Sequence, residues 1–144
     1  EWRLNDKSPA RIAPGVRDLL RYLEKKEIIA GVISDSDLSW SRIWMEHHKI
    51  PILDHRIIIS NEVNADKQGV KIFRLFLKRL HEEYPKIKPS QLLMIGDQSR
   101  DMNAKKAGFQ TCWYNPKKIP LSKDWKIKPD FEINHFSELK SILN

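Results

Sequence analysis

The chain has 144 residues, a net charge of +7, an apolar fraction of 40% and a single cysteine. That length suits one domain with a proper core, and the longest apolar runs, residues 57–59 and 92–95, are far too short to cross a bilayer. The lone Cys112 excludes an internal disulfide and argues for a reducing, cytoplasmic setting, with the thiol buried in a strand.

Residues 1–13 are polar and irregular. Residues 14–26 read as a helix, with Pro14 near its first position and Val16, Leu19, Leu20 and Leu23 on one face. A buried strand is predicted over 28–33, running into Ser34 and Asp35. A helix follows from Asp37 or Leu38 to His48, with Trp40 and Trp44 one turn apart and placed to meet a cap domain or partner. The strand 56–60 precedes the longest helix, 68–83, whose core stripe is Val70, Phe73, Leu77 and Leu80. Pro85 and Pro89 bracket the turn into the strand 92–95. Gly96 and Asp97 end that strand, Asp101 opens a helix over 102–107, and Gly108 closes it. The strand 110–114, a basic Pro-containing loop, a strand near Phe131 and a helix from Phe136 complete the chain. Strands alternating with helices predict an α/β fold, a Rossmann-like, doubly wound parallel sheet with helices on both faces.

Leu92-Leu93-Met94-Ile95-Gly96-Asp97-Gln98-Ser99-Arg100-Asp101 is the most telling stretch. In an open α/β sheet, ligands sit at the C-terminal tips of the strands. Asp97 and Asp101 there offer a hard, all-oxygen site of the kind Mg²⁺ takes, completed by water and a substrate phosphate; the plainer alternative is a turn and a helix cap. His47 and His48 are adjacent on a helix and point different ways, while His55, His81 and His135 are isolated, so no histidine metal pair is expected. Nucleic-acid binding is not expected either. The lysines are spread along the chain, and the densest run (Lys117, Lys118, Lys123, Lys126, Lys128) falls in a loop rather than in an aromatic-interleaved basic helix.

Three stretches in order carry a family resemblance: Gly31-Val32-Ile33-Ser34-Asp35-Ser36-Asp37, Asn61-Glu62-Val63-Asn64-Ala65-Asp66-Lys67, and Gly96-Asp97-x-x-x-Asp101. They resemble the second, third and fourth motifs of the haloacid dehalogenase (HAD) superfamily, in a phosphoglycolate-phosphatase-like form. The flanks agree: residues 14–20 resemble the helix before the second motif, and residues 128–139 the last strand and helix. The resemblance implies a Mg²⁺-dependent phosphatase acting on a small phosphomonoester through an aspartyl-phosphate. It places the Ser34 hydroxyl on a phosphate oxygen, with the Asp35 backbone amide beside it, although relatives often carry Asn at that position. It makes the Lys67 ammonium a point charge on the phosphoryl group, with Lys71, one turn on, as the competing lysine. Asp97 is implied as the closer Mg²⁺ ligand, with Asp101 ligating or supporting it.

The family's first motif, Asp-x-Asp on the central strand, supplies the nucleophile and the acid/base. Before Pro14 the chain offers, besides Glu1, only Asp6, with no apolar strand ahead of it and no Asp two residues later. The resemblance therefore implies that residues 14–144 are the C-terminal part of the core and that 1–13 end a missing upstream region, which holds the first strand and a cap. Without that segment the chain is expected to be inactive. A non-catalytic phosphate-binding or interaction module is the alternative reading. Dehalogenase chemistry, which needs no Mg²⁺, fits the paired carboxylates less well.

Overall fold

The computed structural model describes residues 12–35 and 38–143, with the backbone alone at 38–40. The expectations for Asp37 and for the Trp40 side chain lie outside the described residues. The first helix, α1 (Val16–Lys25), turns Leu19 into the core, and Leu23 packs beside the same cluster. The strand β1 (Val32–Ser34) is shorter than the predicted 28–33 and begins later. Helix α2 (Leu38–His47) leads to β2 (Ile57–Ile59), which passes directly into a single turn of helix, α3 (Ser60–Val63). The long helix α4 (Lys71–Glu83) starts three residues after the predicted position. It buries Ile72 as well as Phe73 and Leu80, a broader face than the predicted stripe.

After β3 (Leu93–Gly96) comes a 3₁₀-type helix, Ser99–Ala107. It ends at Gly108, whose φ of 90° is one that glycine adopts without strain. The strands β4 (Gln110–Tyr114) and β5 (Phe131–Ile133) follow, and α5 (Leu139–Ile142) closes the fold.

All the ladders are parallel, as the alternation predicted, but they form two sheets. β1 pairs with β2 (Val32↔Ile57, Ser34↔Ile59), and β3, β4 and β5 pair in that order (Ile95↔Cys112, Gly96↔Trp113, Tyr114↔Ile133). Among the described residues no ladder joins β1 to β3. The burial pattern agrees: β2 is buried throughout, whereas the equally apolar β1 and β3 are only half-buried along their length.

Helices cover both faces. Ile58 of β2, with Ile33 of β1 and Met94 of β3 against it, shares one cluster with Ile72 and Phe73 of α4 and with Ala104 and Phe109. Across the larger sheet, Cys112, Ile133, Leu19 and Leu139 form a second cluster, and across the smaller sheet Met45, Ile57 and Ile59 form a third. Trp44 packs on that third cluster, with its ring 4.7 Å from His48. The rings of His47 and His48 meet edge to face at 5.0 Å, closer than the divergent directions expected for them.

An ion-pair cluster pins the C-terminal end of α4 to the turn before β2. Arg56 grips Glu83 with both ends of its fork, Nε to Oε1 at 3.1 Å and Nη2 to Oε2 at 2.9 Å, and His55 adds a third contact. The hydrogen bonds from Arg56 and His55 hold the Glu83 carboxyl down from an ordinary 4.5 to about 2. A carboxyl depressed on folding stabilises the native state above its unfolded value, and that contribution fades as pH falls toward its folded value. The melting temperature of Glu83→Gln is therefore expected to lie below wild type at neutral pH, and the gap to close as pH drops from about 4.5 to about 2. A gap that stays constant through this window would contradict the assignment. Burial pushes the fully enclosed Cys112 thiol up to about 12. Thiol reagents at pH 8 are therefore expected to modify it only after denaturant is added.

Candidate functional site

Parallel strands send all their C-terminal tips to one edge, and the predicted site residues lie on the loops leaving that edge. Lys67, in the turn between α3 and α4, is held at three atoms. Its N–H donates to Asp35 Oδ1 at 2.9 Å, its carbonyl accepts from Asn103 Nδ2 at 2.7 Å, and its Nζ forms an ion pair with Asp101 Oδ1. The other Asp101 oxygen accepts from the Gln98 N–H at 2.9 Å, capping the 3₁₀ helix. At the tip of β1 the Ser34 hydroxyl shares a 3.0 Å hydrogen bond with that of Ser41 in α2. Asp35 Oδ2 stands 3.4 Å from Arg100 Nη1.

Asp35, Lys67, Arg100, Asp101 and Asn103 thus form one web that joins the loops after β1 and β3. Lys71 stands outside it, exposed on the first turn of α4. The two paired carboxylates sit in different surroundings. Asp101 is 2% exposed and has Lys67 as its counter-ion, whereas Asp97 is exposed. The helix starts at Ser99 rather than after Asp101, because Asp101 is its third residue and reaches back to the cap. The carboxylate of Asp35, where relatives often have Asn, has a structural use: it receives the Lys67 N–H and faces a guanidinium. Arg100 and Asn103 were not picked out from the sequence. The one available signal was a cation immediately before Asp101, in a segment with no clear hydrophobic period.

Gly96 makes this arrangement possible. A Cβ on it would overlap the Asp101 side chain, so the strand must end in glycine for the carboxylate to reach Lys67. A polar hollow of about 450 Å³, lined by Ser60, Asn61, Asn64, Ala65 and Asp66, flanks the web at the end of β2.

No group of three or more His, Cys, Asp and Glu side chains gathers as a metal cluster among the described residues. The oxygen ligands offered by Asp97 and Asp101 nonetheless suit Mg²⁺ in kind. With Asp101 paired to Lys67, Asp97 is the exposed carboxylate of the two. Gly96→Ala is expected to displace Asp101 from Lys67 and to lower stability by about 1–3 kcal/mol, the usual cost of overpacking. Urea denaturation measures this, and an unchanged midpoint would show that the Asp101 contact is not tight.

Among the described residues no helix is long and apolar enough to cross a membrane. A search of curated protein sequences gave no match. Solved structures do match. A HAD-hydrolase of Bacillus subtilis, YfnB, whose structure is bound to magnesium, superposes with a TM-score of 0.78 at 23% identity, over 93% of this chain and 57% of its own. A HAD phosphatase of Thermococcus onnurineus gives 0.75 at 23% identity, over 93% and 59%. A predicted phosphoglycolate phosphatase of Haemophilus somnus gives 0.74 at 19%, over 93% and 58%. Haloacid dehalogenases are also among the matches. The chain spans a little over half the length of these structures, and at such identities the likeness establishes the fold. The family model for haloacid dehalogenase-like hydrolases matches residues 2–114, most of the sequence and every element that builds the site, and the chain belongs to that family.

Proposed function

We propose that the protein is the core of a Mg²⁺-dependent phosphatase that hydrolyses a small phosphomonoester. The observation carrying this reading is the web around Lys67, which brings Asp35, Arg100 and Asp101 to one edge of the fold, beside Ser34 and the exposed Asp97. Phosphoryl transfer asks the protein chiefly for positioning and for neutralising charge on the phosphoryl oxygens. Ser34 offers a hydroxyl to one of those oxygens, and Lys67 supplies fixed positive charge. Asp97 would hold Mg²⁺ through one carboxylate, with Asp101 behind it. Bound there, the ion would draw off negative charge from the phosphate.

The nucleophile, in this reading, is an aspartate on a strand outside the described residues. It attacks phosphorus, the bond to the leaving alcohol breaks, and water then cleaves the acyl phosphate. Among the described residues no strand pairs the facing edges of β1 and β3, and these edges with their half-buried apolar side chains suit a further parallel strand between them. Such a strand would end beside Asp35 and Asp97. The paired carboxylates favour a phosphatase over a dehalogenase, which needs no metal. Substrate choice is assigned to the part of the relatives that this chain does not span.

The test uses the full-length protein with p-nitrophenyl phosphate. Asp97→Asn is expected to lower Mg²⁺-dependent turnover by at least about a hundredfold, with the thermal melt unchanged. Full turnover in that variant would remove Asp97 from the site.

A further inference from the structure

Among the described residues, two buried side-chain polar atoms have no hydrogen-bond partner: Asp35 Oδ2 and Arg100 Nε. They belong to side chains that face each other. The Arg100 Nη1 to Asp35 Oδ2 separation of 3.4 Å is longer than the roughly 2.7–2.9 Å of a closed charge-assisted bond. The pair is an ionic contact, and its hydrogen-bonding capacity is largely unused. Buried groups in that condition are costly, and they occur in native structures where a ligand, an ion or water completes them.

The other cation of the web is in the opposite state. Lys67 Nζ is committed to Asp101, which is 2% exposed. Turning Lys67 toward a substrate would leave Asp101 as an isolated buried charge, one of the most expensive states available to a protein. Turning Arg100 costs far less. Its side chain is 35% exposed, and its contact to Asp35 is already loose. Asp35 would not be stranded either, since its Oδ1 keeps the Lys67 N–H.

We propose that Arg100 is a phosphoryl-binding residue, donating its guanidinium N–H groups to the phosphoryl oxygens while Asp35 holds the fork in place from behind. This rests on the reading of the site as one for a phosphomonoester. Guanidinium suits the task because its planar donors match two oxygens of a phosphoryl group at once, which an ammonium cannot do. The exposed Asp97 lies three residues before Arg100 on the same segment and repels an incoming dianion. A guanidinium beside it gives the anion a place to bind. Lys67 keeps Asp101 and Asp35 in position while adding its charge to the same edge, and Arg100 supplies the planar pair of donors.

The experiment is calorimetric titration of the full-length protein with inorganic phosphate, alongside steady-state hydrolysis of p-nitrophenyl phosphate. Arg100→Gln is expected to weaken phosphate binding and to raise KM, each by about tenfold or more. Arg100→Lys should recover only part of the loss. Lys123→Gln, which removes the same charge from an exposed loop position, should leave both unchanged. If Arg100→Gln lowers the melting temperature but binds phosphate as wild type does, the pair is only a clasp between loops and the inference fails. If Lys123→Gln weakens phosphate binding as much, general surface charge accounts for the effect and Arg100 has no special role. If the wild-type protein binds no phosphate at all, the phosphomonoester site itself is refuted and the inference falls with it.

Discussion

The Lys67–Asp101 ion pair is the contact on which the arrangement at the strand ends depends. It runs from the turn after α3 to the helix after β3, and so links the two sheets, which share no ladder among the described residues. Removing one partner of such a pair costs about 3–5 kcal/mol, because the other is left as an uncompensated charge. The surrounding structure is arranged to protect it. Gly96 gives up a side chain to make room, Gln98 donates to the carboxylate, and Asn103 and Asp35 hold the lysine backbone from two sides. Below this layer of charge, an apolar cluster around Ile58, Phe73 and Ala104 also joins the two sheets.

Much of the architecture could be read from residue patterns, because those patterns report local burial. The β4 strand was placed to the residue, since Gln110 to Tyr114 follows the helix-ending Gly108 by two residues and runs into the Asn115-Pro116 turn. Helix starts were less legible. Residues 68–70 continue the apolar period of α4, but Gln68 instead makes a turn with Asp66. The β1 strand was overextended because Ile28, Ile29 and Ala30 are apolar, and hydropathy does not say where a ladder begins. Ser34, Lys67, Asp97 and Asp101 were visible as residues in motifs. Arg100 and Asn103 were not, because their importance lies in which atoms they meet across the fold, and spacing along the chain carries no record of that.

The basic crossover between β4 and β5 shows how a long connection stays ordered without a helix. Asn115 is almost fully buried and bonds Ile119 through both ends of its side-chain amide, while its Nδ2 also reaches Glu132. Trp125 packs on Trp113 at 4.9 Å, and Lys105 ties down the far end through the Lys128 carbonyl and Asp130. Four lysines before this far anchor, Lys117, Lys118, Lys123 and Lys126, stay exposed. The net positive charge is thus carried partly on a well-anchored, solvent-exposed loop.

Among the described residues β1 and β3 share no ladder, and that division bears on how this part of the molecule comes apart. A ladder breaks cooperatively, but a boundary held by side-chain packing and a few ion pairs lets each side open on its own terms. The smaller sheet has three residue pairs in its ladder and lies between α2 and α4, whereas the larger is braced by α1, α5 and the 3₁₀ helix. Amide hydrogen exchange is expected to be graded in such a molecule, faster in the half-buried β1 than in the buried centre of β4. The edge that carries Lys67 and Asp101 would then lose its geometry in partial openings that leave most of the native secondary structure intact, so that an ordered site and a folded chain become separate quantities.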